Sequence, residues 1–203
     1  MTPRTVDKDQ KRRDILEAAI KVFAERGVNH FKMIDIAKEA KIGKGTIYEY
    51  FRDKDDLILG CFGYFVGHYT EILGAMEESN LPPDKRLERM IRESFDFFIT
   101  NMDFTRIIYD LWALLVHTDG DKHIMDQFGP MQDKALQQLE SVIQEGKNQG
   151  IFGDVDPKGV ALIIHGMIDG ILFQYKTGLI DYDYKKMIEG IIEMIMHGIL
   201  KKS

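Results

Sequence analysis

Apolar residues recur along most of this chain at three- and four-residue spacing. Ile15, Ala18, Ala19, Val22 and Phe23 fall at i, i+3, i+4, i+7 and i+8, which predicts an amphipathic first helix ending at Gly27. Met33, Ile36, Ala37 and Ala40 repeat the spacing until Ile42 and Gly43 break it, and Ile47 and Phe51 give a short third helix one apolar stripe. A long stripe from Leu57 through Phe62, Phe65, Tyr69 and Leu73 to Met76 predicts a fourth helix ending near Ser79-Asn80. Pro82-Pro83 open a fifth, with Leu87, Ile91, Phe95 and Phe98, and Asp103 is expected to cap a sixth bearing Ile107, Ile108 and Trp112. After a polar loop at 118–121 comes a seventh helix that Gly129-Pro130 should break or kink. Residues 148–156 read as a turn, Asp156-Pro157 cap and start an eighth helix that stops at Gly178, and a ninth runs from about Asp183 to Leu200. No alternating strand pattern or internal repeat is evident, so the fold expected is all-α with nine helices.

Residues 43–57, GKGTIYEYFRDKDDL, set a short polar helix between two apolar-periodic ones. This is helix-turn-helix grammar, with the motif at about 32–51. The outward face of the third helix carries Lys44, Thr46, Tyr48 and Tyr50, a cation, a hydroxyl and two phenols suited to phosphate oxygens and base edges. Gly45 leaves room for close approach. Lys54 opens the next helix, where its ammonium and the free N–H groups of the first turn could hold the same anion.

Charge sharpens this picture. The 203-residue chain carries a net charge of −6, but residues 1–54 hold 13 Lys/Arg against 9 Asp/Glu, or +4, leaving −10 for the remainder. A basic head attracts nucleic acid while an acidic body suppresses non-specific adhesion. The division expected is a DNA-binding domain at 1–54 and a second helical domain at 55–203. Arg4, Lys8, Lys11, Arg12 and Arg13, in or before the first helix, are candidates for backbone or minor-groove contacts.

Gly27, Phe31, Asp35-Ile36-Ala37, Ala40, Ile42, Gly45-Thr46-Ile47-Tyr48, Tyr50-Phe51, Lys54 and Leu57 stand in the order of one family's DNA-binding domain. Over its first quarter to third, the chain resembles the tetracycline-repressor (TetR) family. It departs from that pattern at Phe31 and Lys32, where the family usually has a Ser/Thr pair, and at Lys41, where it usually has Gly. The second helix therefore lacks its usual capping hydroxyl, a loss of about 1 kcal/mol unless Asn29 or water substitutes. Lys41 must adopt φ > 0 if the backbone of the turn is kept. Lys32 sits where the family often contacts phosphate.

The resemblance implies a homodimer whose four-helix interface is built from the last two helices. These are unusually apolar, and the residues expected to face a second copy are Ile164, Met167, Ile168, Ile171, Met187, Ile188, Ile191 and Ile195, with Gly159, Gly166, Gly170, Gly190 and Gly198 permitting close approach. A two-fold dimer would present two heads to a near-palindromic double-stranded operator. The resemblance also implies a small-molecule effector that alters the spacing of the heads through the fourth helix. Met102, Phe104, Tyr109, Trp112, Met125, Phe128 and Met131 form a Met- and aromatic-rich group, with His117 and His165 as polar partners, suited to a lipophilic or planar ligand or simply to core packing. The function expected is a transcriptional repressor. The alternatives are an activator or an effector-blind DNA-binding protein of the same fold.

Other chemistries fit less well. His117, Asp119, Asp121 and His123 in HTDGDKH could ligate a metal, but their spacing matches no closed zinc pattern and a solvated loop is the simpler reading. Lys44 next to Gly43 fails as a phosphate-binding loop, because Gly45 replaces the required Ser/Thr and Lys38 the first Gly. Cys61, the lone cysteine, lies on an apolar stripe and reads as a buried thiol. No enzyme activity, cofactor or resident metal is expected. With no signal peptide and no run of eighteen apolar residues, the chain is expected to be cytoplasmic and free of membrane.

Overall fold

The computed structural model describes residues 7–28, 30–117 and 122–201. Among them it shows nine helices: α1 (Lys8–Arg26), α2 (Met33–Glu39), α3 (Lys44–Tyr50), α4 (Lys54–Glu77), α5 (Pro83–Thr100), α6 (Met102–His117), α7 (Lys122–Asn148), α8 (Pro157–Thr177) and α9 (Tyr184–Ile199). The only strand-like pairing among these residues is an isolated antiparallel bridge between Phe152 and Leu200. They pack as two compact units, one from the chain up to Val66 with 103–128, the other from 67–102 with 129 onward. The packing units thus do not divide at residue 54, since Leu57 and Cys61 at the start of α4 are buried in the first unit.

In the first unit, α1 is capped at its start by Asp7, whose carboxylate accepts from the amides of Asp9 and Gln10 at 3.0 and 3.2 Å. It ends at Gly27, whose φ of 78° needs a residue without Cβ. Ile15, Leu16, Ala19 and Phe23 are buried with Met33, Ile36 and Ala37 of α2, Ile47 of α3, and Phe51. Cys61 is buried here too, its thiol 3.8 Å from the Leu16 carbonyl, and desolvation pushes its pKa far above the ordinary thiol range. It is an inert core residue.

In the second unit, α5 packs on α8 and α9. Its stripe of Leu87, Ile91 and Phe95 is buried, as are Ala161, Ile164, Ile168 and Leu172 of α8 and Ile188, Ile192 and Ile195 of α9. Arg92 and Glu189 form a two-pronged ion pair between α5 and α9. Arg86, also on α5, is buried; one guanidinium nitrogen donates to the Glu77 carbonyl at 2.6 Å, ending α4, and another pairs with Glu145 of α7. Ser94 donates its one hydroxyl proton to the Met90 carbonyl at 2.6 Å, so the buried Tyr69 hydroxyl must be the donor in their 2.8 Å contact.

Two expectations are corrected. Helix α6 begins at Met102, so Asp103 lies within its first turn rather than capping it. Helix α7 runs unbroken through Gly129-Pro130; proline there removes one amide donor, and helix on either side keeps the register. The boundary between the two units falls between Phe128 and Gly129. Of the residues expected to face a second copy, Ile164, Ile168, Ile188, Ile191 and Ile195 are buried within the protomer, while Met167, Ile171 and Met187 are half-buried. The faces of α8 and α9 holding those five isoleucines serve this chain's own core and have little area to give a partner. The apolar side chains that these two helices leave exposed are Leu162, Ile163, Phe173 and Met194.

Candidate nucleic-acid interface

Helix α2 begins at Met33 without a side-chain cap from Lys32. The Asp35 amide, which a capping hydroxyl would accept from, donates instead to the Lys32 carbonyl at 2.8 Å, and the reciprocal half of a capping box is kept: the Asp35 carboxylate, at the third helical position, accepts from the Lys32 backbone N–H at 3.0 Å. Asn29, the expected substitute, lies outside the described residues. Asp35 also pairs with Arg26 at 3.1 Å. The Lys32 amide first, and then Arg26, hold the Asp35 carboxyl below its ordinary range. This contribution is present above the ordinary carboxylate pKa and is lost as pH falls through the depressed one, releasing both the start of α2 and Arg26 together.

The turn to α3 is tight, with the Ile42 amide donating to the Ala37 carbonyl at 2.9 Å. It needs one left-handed residue, and Lys41 supplies it at φ 54°, the only non-glycine positive φ among the described residues. A lysine there is strained by about 1 kcal/mol where Gly is not. Lys41→Gly should raise the urea midpoint, by about 0.5 kcal/mol of stability at most after the greater freedom of Gly in the unfolded chain is counted. An unchanged or lower midpoint would show that the strain is absent.

Helix α3 buries only Ile47 and exposes Lys44, Gly45 and Tyr48. With the loop after it, it borders an open groove of about 410 Å³ lined by Lys32, Met33, Ile34, Lys44, Tyr48, Arg52, Asp53 and Lys54. Four of the seven expected DNA-contacting residues, Lys32, Lys44, Tyr48 and Lys54, therefore share one surface. Gly45 is exposed outside the groove, and a Cβ added there would meet nothing within 4 Å. Thr46 and Tyr50 are half-buried and do not line it.

Arg52 was not among the expected residues, although its place one turn after Tyr48 was the available signal. Its charge is tempered by Asp56, which lies 3.5 Å from the guanidinium and accepts from the Arg52 amide at 2.9 Å. The start of α4 is less open to anions than expected, because Asp53 already caps it by accepting from the Asp56 amide at 2.8 Å. Lys54 Nζ lies 4.8 Å from the centroid of the Phe31 ring, and the Arg12 guanidinium lies 4.9 Å from that of Phe51. With four cations and one carboxylate on its wall, the groove suits a polyanion.

The expected ligand residues are divided between the units. Phe104 is buried in the first, stacked on Phe65 at 3.8 Å, and Tyr109 meets Trp112 edge-on at 5.7 Å in the same unit. Met125 is exposed there, and the side chain of Phe128 lies outside the described residues. Met102 and His165 belong to the second unit, where His165 Nδ1 is 3.0 Å from Asp169. The side chains of His117, Asp119, Asp121, His123 and Met131, and the arm at Arg4, also fall outside the described residues. Among those described, no three metal-ligating side chains cluster, and no helix is long and apolar enough to cross a membrane.

Two family models match the chain: "Bacterial regulatory proteins, tetR family" over residues 15–61, and "BetI-type transcriptional repressor, C-terminal" over 83–190. The chain belongs to the TetR family. It is a TetR-family DNA-binding transcriptional regulator, not an enzyme, with a BetI-type C-terminal domain. It is 23% identical to the fatty acid metabolism regulator protein of Bacillus subtilis over 96% of this chain and 98% of that one. The crystal structure of the B. subtilis regulator FadR in complex with stearoyl-CoA has the same fold, with a TM-score of 0.75 and 22% identity over 92% of this chain and 98% of that one. A transcriptional regulator from Saccharomonospora viridis in complex with choline aligns with a TM-score of 0.82 and 25% identity over 96% of this chain and all of the other.

Proposed function

We propose that this TetR-family regulator is a homodimeric repressor, released from a near-palindromic operator by a small, lipophilic effector bound in the domain at 55–203. The observation that carries the DNA side is the convergence of Lys32, Lys44, Tyr48 and Lys54 on one groove beside α3. One head alone binds too weakly to compete with genomic DNA, since non-specific binding is only about 10⁻⁴–10⁻⁶ M. A two-fold pair sets two such heads on half-sites about 34–36 Å apart, or a multiple of that. The exposed Leu162, Ile163, Phe173 and Met194 supply apolar surface for the pairing. Added Cβ atoms at Gly166, Gly170, Gly190 and Gly198 would meet nothing within 4 Å, so packing inside the protomer does not require these glycines. A second copy approaching closely would.

An effector displaces the operator only by binding the DNA-incompetent state better than the competent one. Typical couplings of about 1–3 kcal/mol correspond to a five- to 150-fold loss of operator affinity. The fold is shared with a relative solved with stearoyl-CoA and another solved with choline. Fluorescence anisotropy on an operator found by genomic footprinting, titrated with a long-chain acyl-CoA and separately with choline, tests the release. The acyl-CoA is expected to weaken binding; no change with either ligand counts against the proposal. Deleting the gene should derepress its neighbour, and lost expression would instead mark an activator.

Within the groove, Tyr48→Phe should weaken binding to all sequences about equally, because the phenol hydroxyl is read as a phosphate contact. Lys44→Ala should instead relax sequence preference, by about 1–3 kcal/mol at one base pair. Competition against operators mutated one position at a time separates the two. Unaltered binding in both variants rejects the assignment.

A further inference from the structure

Phe31 stands one residue before the cap position of α2, where the family usually has the first of two hydroxyl residues. In the structure it has another surface. Its ring is buried, with only 1% of the residue exposed. One neighbour is Phe23, at 4.6 Å between centroids, and the other is the ammonium of Lys54, at 4.8 Å from the ring centroid. Lys54 has no ion-pair partner among the described residues, and its side chain lines the groove together with Lys32, Lys44 and Arg52. A lysine on a flexible four-carbon stem loses rotamer freedom when it is fixed on a phosphate. The negative face of an immobile aromatic ring reduces that loss by holding the ammonium near the groove before DNA arrives.

We infer that Phe31 is a positioning residue for DNA binding: its buried ring is a platform that pre-orients Lys54 as a phosphate contact. This rests on the reading of the groove as the DNA-binding surface. Phe31 touches no nucleic acid itself, and its effect passes through Lys54. The cap position itself is Lys32, whose amide donates to Asp35, and the neighbouring Phe31 ring gives the first lysine of α4 a fixed seat.

Positioning and charge leave different traces in salt. Lys54→Ala removes a phosphate contact, so the slope of log K against log salt should fall in magnitude by about 1. Phe31→Leu keeps the charge and most of the core volume. It should weaken binding about two- to fivefold, the worth of one exposed cation–π contact, with the salt slope unchanged.

The experiment is a double-mutant cycle on full-length protein with a random-sequence DNA duplex, measured over a range of salt. Pentafluorophenylalanine at position 31 provides a second variant that keeps the ring's shape and reverses its electrostatics, should leucine disturb the fold. The expected result is that either change at Phe31 weakens binding in the wild-type background and has no further effect alongside Lys54→Ala. Equal weakening in both backgrounds overturns the inference, because Phe31 would then act only through packing of the head. If the fluorinated ring binds DNA like the natural one, the inference is overturned too. If Lys54→Ala changes neither affinity nor slope, the failure lies in the reading of the groove itself.

Discussion

Gly146→Ala should destabilise the protein by about 3 kcal/mol, lowering the melting temperature by about 6–12 °C at about 2–4 °C per kcal/mol for a chain of this size. A Cβ at Gly146 would stand 2.3 Å from two carbons of the Phe152 ring, far inside any contact that packing tolerates. The ring cannot swing away cheaply. Phe152 is only 2% exposed, and its own amide and that of Ile151 both donate to the Gly146 carbonyl, at 3.1 and 2.9 Å. The turn therefore fixes the ring directly over the glycine. This segment is further tied to the end of α9: the Gly153 amide donates to the Ile199 carbonyl at 2.8 Å, and the Lys201 amide donates to the Ile151 carbonyl at 3.0 Å. Expelling the ring forfeits most of the benefit of burying a phenylalanine, which is worth about 3–5 kcal/mol when truncated to Ala. The better helix propensity of Ala returns at most about 1 kcal/mol. In the Phe152→Leu background the same glycine change should cost much less, and thermal melts of the four proteins give the coupling. Additive losses would show that the two residues do not collide.

The head was legible from sequence because its spacing is tied to hard backbone requirements. Gly27 had to end α1, Lys41 had to take a positive φ, and Ile47 had to be the buried residue of α3; all three do. The reciprocal half of the α2 capping box was also written in the sequence, as a carboxylate at Asp35 three residues after Lys32. The contact between Phe31 and Lys54 was not legible, since 23 residues separate them and only the folded head brings them together. The outward face of α8 defeated sequence reasoning for a different reason. Helix α8 carries apolar residues on most of its circumference, and a helix apolar all round has no periodicity to say which face looks inward. Helix α9 keeps an exposed polar face of Lys185, Lys186, Glu189, Glu193 and His197, which marks its isoleucines as the buried side. Within the protomer Ile164, Ile168, Ile188, Ile191 and Ile195 are buried, with both helices packed on α5, and Leu162, Ile163, Phe173 and Met194 are exposed. Of the break or kink expected at Gly129-Pro130, the break does not occur, because a local breaker is weaker than the helix on both sides. The ligand site was the least legible part, because packing residues and pocket residues draw on the same methionines and aromatics.

Two glycines of α4 should respond to alanine in opposite directions, and the difference reports on how the DNA-reading helix is held. At Gly67 a Cβ would meet nothing within 4 Å, so Gly67→Ala should stabilise the protein by up to about 1 kcal/mol through helix propensity alone. At Gly60 a Cβ would lie 2.8 Å from Cε1 of Phe51, 3.2 Å from Cδ2 of Leu16 and 3.3 Å from Nη2 of Arg12. Phe51 is 1% exposed and ends α3, its amide donating to the Ile47 carbonyl at 3.0 Å. Its ring also lies under the Arg12 guanidinium. Moving that ring therefore moves the end of the helix that carries Lys44 and Tyr48. Overpacking of this kind costs about 1–3 kcal/mol, and with a backbone-anchored ring in the way the upper half of that range applies, so after the propensity gain of about 1 kcal/mol Gly60→Ala should lose about 1–2 kcal/mol net. It should also bind DNA about tenfold more weakly, because tilting α3 by a few tenths of an ångström misaligns every contact in the groove at once. Urea denaturation and anisotropy on the two variants check both effects. Stabilisation by both substitutions, with DNA affinity intact, would mean that α4 does not press on Phe51 and that α3 is held by the α2 turn alone.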